Sequence, residues 1–265
     1  MYDNGMRLTV LGTRGSVPVS HDNVRIFGGA TSCYMVQAGG ETVFLDAGSG
    51  ILYAPELFDR DPVILLSHLH LDHILGLGMY PRLSHAGLRT RIMLQASSIA
   101  KAKETLANLY EPPFWPLHLT EYAGTLDVST LAPLFHIGEI EVSVMDGRHP
   151  GSSLIFRLRC GGKCLVYATD YEPDDASFSA LVSFCSKADL IMYDAQYTEE
   201  DYPRVKGFGH STAEKGIELL TRSGAGRLLL IHHAPRASDE ELLRREQKLG
   251  RENVRYARQG EVIDL

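Results

Sequence analysis

The chain has 265 residues, of which 44% are hydrophobic and 22% charged, as is typical of a folded α/β protein with a substantial core. No apolar stretch approaches the roughly 20 residues that cross a bilayer, and residues 1–5 do not begin a signal peptide, so a cytoplasmic location without membrane contact is expected. The formal net charge of −7 and the lack of a Lys/Arg run disfavour a long nucleic acid as partner.

The first half of the chain begins with short strands between Gly-rich turns. Apolar or alternating runs predict strands at 7–11, 32–38, 42–46, 62–66 and 91–95. Helical spacing predicts helices at 74–83 and 98–110. Prolines between 111 and 117 exclude a helix or central strand there, so Phe114 and Trp115 lie in a loop. This loop either packs on the core or covers a site, where the two rings could stack on a base.

The second half repeats this order. Strands are predicted at 141–145, 154–158, 165–168, 190–193 and 228–231, helices at 176–188, 212–223 and 240–249, and a closing strand. Two runs of strands, each followed by strand–helix alternation, predict an αββα sandwich of two packed mixed β-sheets with helices on the outer faces. Since no linker divides the chain, a single domain over residues 1–265 is expected.

The stretch Ser-His-Leu-His-Leu-Asp-His at 67–73 contains four potential metal ligands: His68, His70, Asp72 and His73. Three imidazoles and a carboxylate suit zinc, manganese, iron or nickel better than a thiolate-preferring ion. The preceding apolar strand places His68 at a strand end and lets His70 fold back beside it, with Asp72 and His73 directed to a second position. Solvated loop histidines are the alternative, but such clustering after a buried strand favours two adjacent divalent ions.

Three further candidate ligands, His149, Asp170 and His232, each follow a predicted strand. Polar residues at strand ends gather on one rim of a sandwich, where a site can be assembled from distant parts of the chain. His233 competes with His232, but strand alternation turns only one of them towards the site. The predicted allocation gives one ion His68, His70 and His149 and the other Asp72, His73 and His232, with Asp170 and a water or hydroxide as bridges.

The sequence Gly-His-Ser-Thr at 209–212 places a different histidine, His210, where a helix begins. A histidine there can donate to a phosphate oxygen or protonate a leaving group. Its alternative is a helix-capping or solvent-facing residue. Asp194 follows the strand at 190–193 and is placed to orient His210.

These residues resemble a known group. Residues 68–73 look like the HxHxDH signature of the metallo-β-lactamase superfamily, and His149, Asp170 and His232 match its later ligand positions in order. Within it the chain most resembles the ribonuclease Z-like branch, which includes small cyclic phosphodiesterases; that likeness rests on residues 209–212 and on Asp170 as the bridging carboxylate. The resemblance implies that His210 contacts the scissile phosphate, that Asp194 orients it where ribonuclease Z typically has Glu, and that Asp72 adds a proton-transfer role to its metal bond.

The predicted function is a dinuclear metal-dependent hydrolase, a phosphodiesterase that acts on a small or cyclic anionic phosphodiester through a metal-bridging hydroxide. Zinc is favoured, with manganese, iron and nickel as alternatives, and the resemblance is compatible with a homodimer. Transfer-RNA 3′-end cleavage is disfavoured, because ribonuclease Z carries a long Gly/Pro-rich arm that is missing here. Hydrolysis of a lactam, lactone or thioester is disfavoured by His210, and a non-catalytic metal-stabilised protein by the Cys-free ligand set.

Cysteine usage fits a reducing compartment. Cys160 and Cys164 flank a Gly-Gly-Lys turn, where two reduced thiols are favoured over a disulfide or a metal site. Cys33 and Cys185 are predicted to be small buried hydrophobes.

Overall fold

The computed structural model describes residues 5–57 and 59–265. Residues 1–4, on which the prediction about a signal peptide largely depends, lie outside this range. Within it the strands are β1 (Arg7–Gly12), β2 (Cys33–Ala38), β3 (Glu41–Leu45), β4 (Val63–Leu65), β5 (Arg89–Leu94), β6 (Thr125–Thr130), β7 (Leu134–Ile137), β8 (Ile140–Gly147), β9 (Ser153–Cys160), β10 (Lys163–Ala168), β11 (Leu190–Asp194), β12 (Arg227–Ile231), β13 (Val254–Tyr256) and β14 (Val262–Asp264). The α-helices are α1 (Leu71–Ile74), α2 (Ile99–Leu109), α3 (Asp175–Phe184), α4 (Tyr202–Val205), α5 (Ala213–Ser223) and α6 (Asp239–Leu249).

The strands form two seven-stranded sheets with matching topology. The first has the order β14-β1-β2-β3-β4-β5-β6 and the second β13-β12-β11-β10-β9-β8-β7. In each sheet four consecutive strands pair antiparallel and the remaining pairs are parallel, as in β3–β4–β5–β6 and β10–β11–β12–β13. This arrangement confirms the predicted αββα class and the predicted repetition between the halves.

Three apolar layers hold the sandwich together. The central layer lies between the sheets and contains buried side chains from both, such as Val36 and Phe156. One outer layer packs α3, α5 and α6 on the second sheet, and the other packs α2 and short 3-10 turns on the first. Because apolar side chains cover both faces, the inner parallel strands β4 and β11 are buried along their whole length.

The predicted helix at 74–83 is wrong. The chain forms the single turn α1 and then two 3-10 helices, Leu77–Met79 and Pro81–Ser84. Glycines at 76 and 78 weaken helix propagation, and Pro81 cannot donate an intrahelical hydrogen bond. The chain beyond α1 therefore folds as a tight path of turns on the outer layer.

The loop at 111–117 separates its two aromatic residues. The Trp115 ring packs edge-on against Tyr110, with centroids 5.5 Å apart, and its Nε1 donates to the Tyr122 hydroxyl at 2.8 Å. Phe114 is 82% exposed. Trp115 is thus half-buried and packs against the outer apolar layer of the first sheet, as the packing alternative predicted.

All four cysteines are free thiols. Cys160 and Cys164 lie at the adjoining ends of β9 and β10, as predicted from the turn. Cys33 and Cys185 are buried, in agreement with their prediction. Among the helices of the described ranges, none has both the length and the apolar character needed to span a bilayer.

Candidate active site

The predicted site residues converge at one edge of the sandwich, at the carboxyl ends of strands. The segment that follows β4 carries the His/Asp run, and His149 follows β8 by two residues. Asp170 follows β10 in the same way, and His232 comes directly after β12. The structure brings together every predicted site residue: His68, His70, Asp72, His73, His149, Asp170, Asp194, His210 and His232.

The outer cluster consists of His68, His70 and His149. Their ligand atoms and one from Asp170 all lie within 4.8 Å of one another. His149 Nε2 is 3.1 Å from His70 Nδ1, and His70 is exposed to solvent. Burial lowers the pKa of His68 and of His149, and neighbouring histidines act in the same direction. The imidazoles of His68 and His149 are therefore neutral, and each can donate a lone pair to a metal ion.

The inner cluster consists of Asp72, His73 and His232, which with Asp170 also lie within 4.8 Å of one another. Asp72 Oδ2 is 3.3 Å from His73 Nε2 and 3.1 Å from His232 Nε2. Both histidines are fully buried. Burial opposes their charged forms, but Asp170 and the neighbouring carboxylates raise the pKa of His73 well above its ordinary value and that of His232 to about 9.

Asp170 is shared by the two clusters. Its Oδ1 lies 3.7 Å from His68 Nε2 and 3.6 Å from His149 Nε2. Its Oδ2 lies 3.1 Å from His73 Nε2 and 3.3 Å from His232 Nε2. Burial disfavours the carboxylate, yet the surrounding imidazoles hold the pKa of Asp170 well below its usual range. Each oxygen thus faces a different cluster, which is the geometry required of a bridge.

The tautomers of the histidines fit a divalent cation. His73 Nδ1 donates to Asp46 Oδ2 at 2.7 Å, and His149 Nδ1 donates to the Gly209 carbonyl at 2.8 Å. The Ser67 hydroxyl donates to Asp46 and so accepts from His68 Nδ1, 3.0 Å away. Nε2 of His68 is buried without a hydrogen-bond partner, and Nε2 of His73 faces the carboxylates of Asp72 and Asp170 without a well-aligned hydrogen bond to either. Since unpaired buried polar atoms are costly, a cation that accepts these lone pairs matches the donor set.

Asp46 supports the inner cluster and was not among the predicted site residues. Its carboxylate accepts hydrogen bonds from His73 Nδ1, from the backbone and hydroxyl of Ser67, and from the Tyr167 hydroxyl at 2.6 Å. It is fully buried behind the ring of His73. Its position at the end of β3, in a strand–Asp–Ala–Gly sequence, is the signal that could have identified it.

The loop after β1 closes the inner cluster from the other side. Ser16 donates its backbone N–H to Asp72 Oδ2 at 2.7 Å. A Cβ at Gly15 would lie 2.3 Å from His232 Nδ1, so only glycine lets this backbone approach the ring. The loop therefore fixes the Asp72 carboxylate and covers His232.

His210 lies beside both clusters and is oriented by Asp194. Its Nδ1 donates to Asp194 Oδ2 at 2.8 Å and lies 3.8 Å from Asp170 Oδ1. Its ring stacks on that of His232, with centroids 4.8 Å apart. Asp170, Asp194, His210 and His232 also form a cluster of potential ligands, but the proton that Nδ1 donates to Asp194 makes a metal bond through Nδ1 unfavourable.

The competing residue His233 turns away from the site. Its Nε2 donates to the Ala257 carbonyl at 2.8 Å, and its ring packs edge-on against Phe27. Burial lowers its pKa to about 3, so it is a neutral core residue. His232 faces the clusters with a left-handed backbone, φ 59°, immediately beyond the strand. Only one of the pair points inwards, as predicted.

Strained backbone conformations concentrate around this site. Six described non-glycine residues have a positive φ. Asp46, Asp170 and His232 supply carboxylates or an imidazole to it, while Ser16 and Ser152 donate backbone N–H groups to Asp72 and to the His149 carbonyl. Each such residue costs of order 1 kcal/mol or more, and such residues cluster at functional sites.

Comparison with known proteins identifies the family. A family model described as "Beta-lactamase superfamily domain" matches residues 15–233, and the chain belongs to this family. Its site and fold are those of a metallo-hydrolase of the superfamily.

Relatives span nearly the whole chain. The protein named "Probable metallo-hydrolase YhfI" from Bacillus subtilis (strain 168) is 25% identical over 257 residues, 92% of this chain and 93% of the relative. Ribonuclease Z from Brevibacillus brevis is 25% identical over 301 residues, 89% of this chain and 87% of the relative.

Solved structures share the fold. The crystal structure of Bacillus subtilis YhfI matches with a TM-score of 0.75 at 22% identity, covering 99% of this chain and all of that one. A diphosphatase from the PhnP family matches with a TM-score of 0.68 at 18% identity, covering 98% of both chains.

Proposed function

We propose that this chain is a dinuclear metal-dependent phosphodiesterase that acts on a small or cyclic phosphodiester. One observation carries the choice of substrate: His210, oriented by Asp194 at 2.8 Å, lies 3.8 Å from the shared carboxylate Asp170. One further positioned imidazole, outside the five in the two clusters, suits a reaction in which a charged phosphoryl group needs both cations and a proton donor.

The two clusters would hold the ions, with Asp170 between them. Divalent ions bound there would lower the pKa of a bound water and neutralise charge on the phosphoryl group. The outer cluster supplies three imidazoles, and the inner cluster supplies two imidazoles and the Asp72 carboxylate. Zinc is the ion we favour for this all-N/O set, with manganese, iron and nickel as alternatives.

His210 acts on the substrate through Nε2, because Nδ1 is bonded to Asp194. From Nε2 it donates to a phosphate oxygen or protonates the leaving group. Asp194 is fully buried and also accepts the Gln196 backbone N–H at 3.0 Å, so it holds the ring in one orientation. Asp194 is thus a positioning residue for His210.

Asp72 supplies the carboxylate of the inner cluster. Burial works against its charge, but His73 and His232 hold its pKa far below the usual range. The Ser16 N–H fixes the same oxygen. Asp72 therefore remains a carboxylate at neutral pH and is able to bind a cation.

The test is turnover by the purified, zinc-loaded protein on bis-p-nitrophenyl phosphate and on a panel of 2′,3′- and 3′,5′-cyclic nucleotides. We expect wild-type hydrolysis of at least one of them and its loss in His210→Ala. His136→Ala, which alters an exposed histidine on β7, is the matched control. A protein that binds two ions and cleaves none of these esters contradicts the proposal.

Transfer-RNA processing is the second candidate, since a ribonuclease Z matches 89% of this chain. We place it behind small phosphodiesters because of the net charge of −7. Cleavage of a transfer-RNA precursor at rates above those for cyclic nucleotides would reverse this order. Acyl hydrolysis would be favoured instead if His210→Ala kept full activity on a lactone or thioester.

A further inference from the structure

A buried carboxylate outside both clusters, Glu172, joins segments that carry site residues. It follows Asp170 by two residues and is 3% exposed. Its oxygens accept the Gly207 N–H at 2.8 and 2.9 Å, the Gly209 N–H at 2.9 Å and the Tyr202 hydroxyl at 3.1 Å. Glu172 thus binds the backbone of the segment that immediately precedes His210.

The bonded segment also contacts His149. The Gly209 carbonyl accepts from His149 Nδ1 at 2.8 Å, and a Cβ at Gly209 would lie 2.1 Å from that nitrogen. Gly207 and Gly209 both have left-handed backbones, with φ 96° and 91°, which other residues adopt at a cost. The close approach to the imidazole therefore requires this loop to hold a specific and unusual shape.

The backbone of Glu172 fixes the other side of the same histidine. Its N–H donates to the Arg148 carbonyl at 2.9 Å, and the Arg148 guanidinium donates to the Glu172 carbonyl at 3.2 Å. One residue therefore links Arg148, which precedes His149, to Gly209, which bonds to the His149 ring.

The charge of Glu172 is balanced by hydrogen-bond donors. In the described part of the chain, no ion pair within 4.0 Å includes its carboxylate, and the Arg148 guanidinium pairs instead with Asp174 at 3.2 Å. Burying a carboxylate is costly unless several N–H or O–H groups satisfy it, and such charge-assisted bonds are roughly twice as strong as neutral ones. Because the donors to the Glu172 carboxylate belong to residues 202–209, these bonds fix the geometry of that loop.

We propose that Glu172 is a positioning residue: through Gly207 and Gly209 it aims His149 Nε2 at the outer cluster and sets the start of the His210 segment. The metal-binding part of this inference rests on the proposed function, in which His149 is a ligand. Groups that orient a ligand histidine typically change metal affinity about 10- to 100-fold when removed.

The experiment compares three substitutions in the full chain. Glu172→Gln keeps the length of the side chain: its oxygen can accept both glycine N–H groups, but its amide nitrogen then replaces the oxygen that lies 2.8 Å from Gly207 N and 3.1 Å from the Tyr202 hydroxyl. Glu172→Asp keeps the charge but is one methylene too short, and Glu172→Ala removes the group. Glu200→Gln, on an exposed glutamate, is the control. Amide hydrogen exchange of residues 206–210 and zinc affinity by chelator competition are the readouts.

We expect Glu172→Ala and Glu172→Asp to raise exchange of the loop amides and to weaken zinc binding by about tenfold or more. Glu172→Gln should lose less than Glu172→Asp in both readouts, since it keeps an acceptor within reach of both glycine N–H groups and loses the charge assistance and one contact to Gly207. The Gln-versus-Asp contrast carries the test if Glu172→Ala does not fold.

Glu172→Asp behaving as wild type while Glu172→Gln loses zinc would overturn the proposal, because charge would then matter more than reach. Unchanged exchange in all variants would overturn it too. Neither readout uses a substrate. A wild-type protein that cleaves no phosphodiester but shows the expected Gln–Asp contrast contradicts the proposed activity and leaves the role of Glu172 intact.

Discussion

The inner and outer clusters each place three side chains around the same Asp170 carboxylate, but in different surroundings. Both inner histidines are fully buried, whereas the outer cluster includes the exposed His70. Burial lowers the pKa of the outer histidines His68 and His149, while carboxylates raise that of the inner His73 and His232. Similar ligand types therefore differ in how strongly protons compete with a metal ion.

Asp170 and Asp72 are the main cause of the raised pKa values of the inner histidines, and the groups behind the ligands add to the contrast. His73 is backed by the Asp46 carboxylate, whereas His149 is backed by a neutral carbonyl, that of Gly209. A carboxylate raises the basicity of the ring and strengthens its metal bond, and it also attracts a proton. The inner cluster is thus suited to tight retention of an ion, and the more open outer cluster to exchange of ligands with solvent and substrate.

The shared carboxylate gives the largest expected effect. Asp170→Asn should reduce phosphodiester hydrolysis by about a thousandfold or more, because losing the bridge removes several kcal/mol of metal-dependent stabilisation. Metal content and turnover on bis-p-nitrophenyl phosphate are the measurements. Asp146→Asn, on an exposed aspartate of β8, is the control. An Asp170→Asn protein that keeps two zinc ions and normal activity would contradict a shared bridge.

Removing the His210 side chain should lower the rate of hydrolysis without changing metal binding at either cluster. His210→Ala should lower kcat by about 10²- to 10⁴-fold, the usual contribution of a general acid, with two zinc ions retained. Asp194→Asn should cause a smaller loss, since the imidazole remains. The number of zinc ions retained by each variant is measured by mass spectrometry under native conditions. Loss of an ion from His210→Ala would mean that His210 is a ligand.

Asp46 should distinguish the clusters directly. Asp46→Asn should weaken zinc binding at the inner cluster by about 10- to 100-fold and at the outer cluster by less, because His73 loses its carboxylate partner directly whereas His68 is connected to Asp46 only through the Ser67 hydroxyl. Stepwise zinc titration by calorimetry measures both sites, and Asp22→Asn, on an exposed loop, controls for general charge effects. Equal weakening of both zinc-binding steps would contradict the proposed difference between the inner and outer clusters.

The smallest effect is a difference in proton release. At pH 7 the inner histidines, with raised pKa values (about 9 for His232), are protonated in the metal-free protein, whereas His68 and His149 are neutral. Zinc must displace those protons, so we expect about one to two protons released at the inner cluster and about none at the outer. Inner affinity should therefore fall as the pH is lowered from 9 to 6. Calorimetry in two buffers of different ionisation enthalpy gives the count, and equal release at both steps contradicts this picture.

The apolar runs in the sequence predicted much of the fold. The polar residues at their ends predicted that His149, Asp170 and His232 lie together at one edge of the sandwich. This worked because buried parallel strands are continuous apolar runs and their carboxyl ends meet at one edge. The edge strands β6 and β7 were missed, since their side chains are only partly buried and show no clear alternation. The ligand roles themselves remain predictions.

Glu172 could not be predicted in the same way, whereas Asp46 stands at a predicted strand end and only its partners could not be predicted. The partners of Glu172 are mostly backbone N–H groups, and a sequence does not display where these point. The role of Asp46 depends on a left-handed turn and on Tyr167, which lies 121 residues further along the chain. Groups that support a ligand histidine leave a weaker sequence signal than the ligand itself.

The left-handed backbone at Asp170 and His232 means that this protein trades stability for a binding site. Glycine would relax both backbones, and either substitution would remove a side chain of the site. Random mutagenesis selected for thermal stability alone should therefore accept glycine or asparagine at these two positions, and selection that also requires metal should reject it. The site is preserved only as long as function is selected together with folding.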